Sequence, residues 1–419
     1  MAASEVACSA SLGPEIASVR GAVLRFVKWL DGYGETSYDH QSFFASGVGR
    51  AAKALYYRRP LLGKLAVAPM IFAEAFVPSA RRLFWKPQRF PIADAHYAMG
   101  FAFLATVFRD DKYARRAVHF LEVLEETRSP GYERHGWGYP FHWETRTGTM
   151  RAGEPMITTL PYAYEAFREV HQLDGNEKWR AVMQSIADHA LFDYHDRVTS
   201  ESASTCSYTP DPTDQGGVVN ASAYRAYLLT QAAMDFRDDR YWKAAERNVN
   251  FVLESQNPDG SWYYSMDGQR DFVDHFHTCF VLKALTKIEH LTGNRGCTLS
   301  IERGIHYYIQ NLFDGEGLPK PFSRRPRLTV YRNELYDYAE CLNLAVLLRG
   351  RFAALDNILR RLTNHLSRWQ KRDGSFRSRR LLIGWDDTPM HRWAQSQMFR
   401  SLCFLLYRDL QCAGSESSN

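Results

Sequence analysis

The sequence predicts an all-α fold, an (α/α)6 toroid of six helical hairpins, and three observations predict it. A block recurs about every 60 residues, apolar periodicity sets paired helices along it, and strand signals are few. Each block holds an apolar helix, a short polar turn with an aromatic or charged cluster, a second helix and a Gly-rich loop. The turns read FRDDKY (108–113), DGNEKW (174–179), FRDDRY (236–241), TGNRGC (292–297) and RGRF (349–352). Tyr113 to Trp179 is 66 residues, Trp179 to Tyr241 is 62, Tyr241 to Cys297 is 56 and Cys297 to Phe352 is 55. A period of this size marks repeated supersecondary units.

In chain order, a helix is expected at 14–31, near the N-terminus. Five pairs follow: 93–109 with 112–127, 156–173 with 177–192, 218–236 with 240–255, 271–292 with 298–312, and 334–350 with 352–370. A last helix at 389–410 pairs with the first and closes the ring, inner helices parallel to one another and outer helices antiparallel to them. Runs such as SWYYSM (261–266) read as ribbons at loop edges. The loops QNPDGSW (256–262) and QKRDGSF (370–376) lie 114 residues, or two periods of 57, apart. Asp-Gly gives a tight turn with positive φ, and the aromatic after it packs back on the structure. Trp262 therefore reads either as a plug between hairpins or as part of a sugar-stacking wall.

Residues 1–419 read as one toroid domain, with 411–419 a short, polar, disordered tail. The 14% aromatic content suits either ring-lined cavities or a large α/α core. A net charge of only +5, spread along the chain, leaves no nucleic-acid footprint. Seven scattered cysteines without a CxxC pair argue against a disulfide framework or structural zinc and favour a reducing compartment. The first 30 residues form an amphipathic helix rather than a signal sequence. The expected location is cytoplasmic, with peripheral contact at the inner membrane as an option.

Residues 32–92 fall outside the repeat. Their 50–89 stretch carries nine basic residues and one acid, Glu74, around the apolar run 61–78. The run is too interrupted to span a membrane. It reads as a helical insertion on the outside of the toroid, or as a segment lying in a membrane interface.

In such a ring, the loops entering the inner helices gather at one mouth. Those entries hold His96, GWGYPFHWETR (136–146), SYTPDPTDQGGVVN (207–220), DFVDHFHTC (271–279), NELYDYAEC (333–341) and GWDDTPMHRWAQ (384–395). Trp137, Tyr139 and Trp143 can stack on sugar faces. Glu144 and Arg146 can bind hydroxyls or a uronate, or simply pair at the surface. Asp274 and His277, at i and i+3, can touch, so the carboxylate can orient the imidazole as a base or merely cap the helix. His275, His277 and Cys279 do not share a helix face, so no metal is expected. Asn220 can hold a substrate oxygen, and Tyr208 and Tyr338 can carry protons. Asp387, Arg392 and Trp393 complete the set, though one Asp of the pair 386–387 can instead cap a helix starting at Thr388-Pro389. No cofactor motif, such as a Walker A loop or G-x-G-x-x-G, is present.

The stretches WGYPFHWETRTG (137–148), SYTPDP (207–212), QNPDGSWYY (256–264), D-x-F-H-T (274–278) and IERGIHYYIQNLF (301–313) resemble a bacterial polysaccharide-biosynthesis family of the Vibrio exopolysaccharide-cluster type. That family is related to six-hairpin-glycosidase-like toroids. The resemblance covers about 130–320 and, more loosely, 37–60. The family pattern has Asp at His142, Asn at His275 and Gly at Cys279. It implies a carbohydrate context.

Three functions fit. The first is an enzyme on an exopolysaccharide or lipid-linked glycan. As a hydrolase it would draw its carboxylates from Glu144, Asp274 and Asp387. As a uronate lyase or C5-epimerase it would use His277 or Tyr338 as base, Tyr208 as acid, and Arg146 or Arg392 against the carboxylate. The second is a toroid similar to terpene cyclases and prenyltransferases, since the two DGS loops and GWDDTP (384–389) look like motifs of that class, with Gly384 in place of its first Asp. The third is a non-catalytic glycan-binding scaffold of a membrane-bound complex.

Overall fold

The computed structural model describes residues 13–416 other than 147, 327 and 328. Helix α1 (Gly13–Tyr33) is followed by α2 (Ser42–Ala45), α3 (Gly47–Arg58) and α4 (Pro60–Phe76), then a 3-10 turn at Pro78–Leu83. Five hairpins come next: α5 (Pro91–Phe108) with α6 (Asp111–Glu126), α7 (Leu160–Asp174) with α8 (Glu177–Phe192), α9 (Val219–Phe236) with α10 (Asp239–Glu254), α11 (His275–Thr292) with α12 (Arg295–Asn311), and α13 (Leu335–Leu347) with α14 (Ala353–Asn364). After the one-turn α15 (Leu366–Trp369), α16 (Ser396–Glu416) completes the inner ring. It packs against both α13 and α5, and α1 lies against α16 and α14, so the ring of six closes as expected.

The repeated turns have one physical cause. The inner helices end in a left-handed residue, Arg109, Gly175, Arg237 or Gly293, and the next residue caps the outer helix. The side chains of Asp110, Asn176, Asp238 and Asn294 accept hydrogen bonds from the first-turn amides of α6, α8, α10 and α12. Two residues thus reverse the chain. RGRF departs from the rule: Phe352 offers no side-chain cap to α14.

The two DGS loops are also duplicates in structure. Asp259 accepts from the Ser261 amide and hydroxyl, and Asp373 does the same for Ser375. Gln256 bonds to Ser300 and Arg303 of α12, while Gln370 bonds to Ala22 and Arg25 of α1. Gly260 and Gly374 have positive φ, and a Cβ on either would strike a carbonyl of the neighbouring outer helix. These loops staple one outer helix to the next. The Trp262 indole donates to the Val252 carbonyl at 2.9 Å and is buried, so it is the plug rather than an open stacking wall.

Strands are short and serve the mouth. They are β1 (Trp143–Glu144) with β2 (Thr149–Met150), β3 (Asp196–Val198) with β4 (Ser204–Cys206), β5 (Val273–Asp274) with β6 (Phe322–Arg324), and the sheet of β7 (Tyr331–Glu334), β8 (Arg379–Leu381) and β9 (Trp385–Asp386), all antiparallel. They explain the shifts in helix starts. Helix α11 begins at His275, not 271, because Val273 and Asp274 are paired with β6. Helix α7 begins at Leu160, not 156, because the Met156 and Ile157 amides are bonded to Trp137 and Tyr208. A wide π-type turn at His391–Gln395 precedes α16, which runs on to Glu416, so the expected tail from 411 begins as helix.

The largest revision concerns residues 34–90, the part of the 32–92 segment that lies between α1 and α5. They do not sit on the outer wall. They lie over the mouth, held by Asp39 to Arg392, Arg81 to Asp386 and Glu74 to Arg379. Among the described residues no helix is long and apolar enough to cross a membrane. Cys206, Cys279, Cys297, Cys341 and Cys403 are buried free thiols.

Candidate active site

At the entry to α11, Asp274 does two jobs. One carboxylate oxygen caps the helix at the His277 amide (3.1 Å), and the other accepts from His277 Nδ1 at 2.6 Å. Asp274 is buried, and the imidazole is partly exposed and lines the cleft beside it. A carboxylate that fixes the tautomer and orientation of an imidazole is the usual arrangement for a general base. The cap and the dyad are therefore not alternatives.

Around this dyad lies a narrow cleft with internal room for about one water molecule, lined by Asn220, Trp262, Tyr263, Tyr264, Phe272 and Thr278 among others. Tyr264 and Phe272 stack on each other at 4.7 Å, and Tyr264 meets the His277 ring edge-on at 4.7 Å. The buried Asn220 carbonyl oxygen has no protein partner. The Tyr208 hydroxyl accepts from Thr158 at 3.2 Å. Burial raises its pKa well above 10.0, with further charge coupling to Tyr264 and Tyr139, so it keeps its proton. Burial also pushes Tyr264 up to about 12.

Below the mouth, one residue from each inner helix meets at the axis: His96, Tyr162, Tyr224, Lys283, Glu340 and Arg400. Lys283 donates to Glu340, and Arg400 lies 3.5 Å from the same carboxylate. The Tyr162 and Tyr224 hydroxyls are bonded to each other, and Tyr162 carries His96 on one side and Arg400 on its ring. Burial, then the charges of Arg400 and Lys283, keeps His96 neutral. The bore is thus filled by side chains. His96 belongs to this floor, buried under the mouth.

The other half of the mouth is covered. Arg392 makes a two-point bond to Asp39 (2.7 and 2.9 Å) and also donates to the Tyr139 hydroxyl. Burial alone would raise the Asp39 pKa, but Arg392 overcomes it and holds the carboxyl well below its usual range. Arg379 bridges Glu74 and Glu334, and Trp393 donates to Glu334. Trp393 is stacked on Tyr336 at 4.6 Å and covered by His40 at 4.2 Å. Asp337 is buried without a protein partner for either oxygen, and burial, then Glu334 and Asp274, pushes its carboxyl far up.

The structure thus brings together Asp274, His277 and Asn220 on one side, with Trp262 packed beneath them and Tyr208 close to Tyr264, and Tyr139, Arg392 and Trp393 on the other. It leaves others out. Trp137 is fully buried with its indole bonded to the Leu124 carbonyl, a packing residue. Tyr338 packs on Trp369 between α13 and the outer layer, away from the mouth. Glu144 and Arg146 sit on the β1–β2 hairpin, bonded to Thr149 and Gln269. Trp143 is on that hairpin under Lys53 of the cover. Asp387 is 52% exposed, and its neighbour Asp386 is sealed against Arg81. That removes the carboxylates a terpene-cyclase reading needs. Sequence reasoning missed Tyr264, Asp39, Arg379 and, apart from His96, the axial set. The six axial residues all fall within the first nine residues of their inner helices, which is the signal that could have found them. Among the described residues no group of three or more His, Cys, Asp or Glu is placed to hold a metal ion.

No family model matches the chain, and no curated protein matches it in sequence. Solved structures do match. Cellobiose 2-epimerase from Bacillus thermoamylovorans is similar with a TM-score of 0.60 and 10% identity, over 76% of this chain and 87% of that one. The GH76A α-1,6-mannanase from Salegentibacter gives 0.56 and 11%, over 77% and 90%. A polysaccharide lyase gives 0.52 and 10%, over 77% and 90%. At these identities the likeness shows the α/α toroid fold.

Proposed function

We propose that this chain is a carbohydrate-active enzyme that moves a proton at a sugar carbon, by elimination or epimerisation, on an exopolysaccharide or a lipid-linked glycan in polysaccharide biosynthesis. The observation that carries it is the His277–Asp274 dyad, with Nδ1 held at 2.6 Å and the ring lining the cleft. In this reading His277 takes the proton, Tyr208 serves as the acid, and Asn220 holds a substrate oxygen. Hydrolysis asks for an acid and a carboxylate facing one bond. Asp274 is already committed to His277, and Glu144 and Asp387 lie outside the cleft. Arg392 is neutralised by Asp39, so a uronate carboxylate would not meet it as an open charge. Proton abstraction from carbon needs an adjacent carbonyl to take up the electron pair, so the substrate is either a uronate whose carboxylate is met by a group other than Arg392, or a sugar with a free reducing-end aldehyde. Contact of 50–89 with a membrane belongs to the same reading when the glycan is lipid-linked.

The test is incubation with neutral and uronate-containing glycans in deuterated water. Deuterium uptake without cleavage marks an epimerase, and an ultraviolet-absorbing product marks a lyase. Either must vanish in His277→Ala. New reducing ends without either signal would make the chain a hydrolase. Polymer production unchanged in His277→Ala and Asp274→Asn would make it a binding scaffold.

A further inference from the structure

Helix α4 is inside out for a helix packed on a protein. Its exposed stripe is Leu61 (80% exposed), Leu65 (73%), Phe72 (61%) and Phe76 (47%), one face at helical spacing, extended by Leu83 (87%) on the following turn. The buried face includes Gly63, Met70 and Glu74. A contiguous apolar strip of this kind marks an interaction surface. Basic residues rim it: Arg58 and Arg59 at its start, Lys64 on its flank, Arg82 and Lys86 past its end, all exposed. The single acid of 50–89, Glu74, is turned inward and neutralised by Arg379. No negative charge faces outward from this segment.

We propose that this face of α4 seats the protein on an anionic lipid surface, with the helix lying in the interface and the rim contacting headgroups. The charge pattern selects this occupant. A second copy docking through the same face would set each basic rim against its twin, whereas an anionic bilayer complements it. The helix has 17 residues, about 25 Å at 1.5 Å per residue, with Lys64 within it, so it lies on the bilayer rather than crossing it. The docking element is also the cover: Glu74 joins α4 to Arg379 and so to Glu334 and Trp393 at the mouth. A docked α4 holds the mouth close to the membrane, which selects lipid-anchored glycans over free ones. That last step rests on the proposed catalytic function, whereas the docking does not.

The experiment is co-sedimentation of the full chain with phosphatidylcholine vesicles, with and without phosphatidylglycerol. Binding is expected only with the anionic lipid, weakened by salt, and reduced at least about tenfold in Leu65→Ser/Phe72→Ser and in Arg58→Glu/Arg59→Glu. Unchanged thermal melting checks that both variants fold. Absence of wild-type binding, or binding equal in all three proteins, overturns the proposal. So does sedimentation showing a dimer that Leu65→Ser/Phe72→Ser dissociates. Turnover of a glycan carried on a vesicle lipid should fall with binding, while turnover of the free glycan is unchanged. If neither glycan is turned over, the catalytic reading fails and the docking result stands.

Discussion

Around one mouth, the entries to α9 and α11 leave a cleft, whereas the entries to α5, α13 and α16 are covered by residues 34–90. The open side holds a single short dyad, made within four residues, and aromatic rings that can meet a ligand. The covered side holds three buried ion pairs between chain segments far apart in sequence. Charge is used for chemistry on one side and for fixation on the other. Buried pairs are costly to break because a lone charge remains behind. The covered side should therefore fail as a structure when altered, and the open side should fail only as a catalyst.

His277→Ala is the strongest way to break that division. Loss of a positioned general base costs about 10²–10⁴-fold in rate. The ring makes a single 2.6 Å bond to the buried Asp274, so its loss should lower stability by only about 1–3 kcal/mol. A large drop in melting temperature, measured by calorimetry beside activity, would make the dyad a structural clasp. Arg392→Met is the converse. Asp39 would be left buried and charged, at a cost of about 3–5 kcal/mol in unfolding free energy. Denaturant unfolding checks it, and an unchanged midpoint would mean the cover is not clamped there.

A pH series sharpens the contrast. Burial holds His40 well below its ordinary 6.5; Asp39 pulls it up, and Arg379, Arg392 and Arg81 push it down. The unfolded imidazole therefore binds a proton that the folded one resists. Its contribution is complete above 6.5 and is lost as pH falls below that value. Burial takes His391, beside the same cover, to about 4, with the same sign. Burial pushes Asp94 up to about 7, with the opposite sign, so its contribution is lost as pH rises through 7. Protection factors of the 34–90 amides should fall between pH 7 and 5, and less so in His40→Gln. An equal fall in both proteins would remove His40 from the account.

Much of this was legible in the sequence where the cause is local. The hairpin turns repeat because a left-handed residue and an Asx cap sit side by side, and the dyad is an i, i+3 pair. The DGS loops were legible as a repeat, and their work as staples follows from one Asx turn used twice. Facing was harder to read. On α13, Glu340 points into the bore and Tyr338 into the outer layer, and one helix carries both. The cover was not legible at all. Its ion pairs join residues 305 and 353 positions apart, and a basic, apolar segment carries no local sign of what it will lie on.

The smallest effect expected is also the most discriminating about the missed residues. Glu144 and Asp387 were the sequence's carboxylate candidates beside Asp274, and both now stand outside the cleft, on a hairpin and on an exposed turn. Glu144→Ala removes one exposed bond to Thr149, and Asp387→Ala a 3.6 Å contact with Arg377. Surface changes of this kind stay within about 0.5 kcal/mol in stability. If the open half works through His277, both variants should keep turnover within a few-fold of the parent. A loss comparable to that of His277→Ala, in either one, would mean that the β1–β2 hairpin or the 384–388 turn closes over the cleft during the reaction. The division between an open and a covered half would then describe only the resting form.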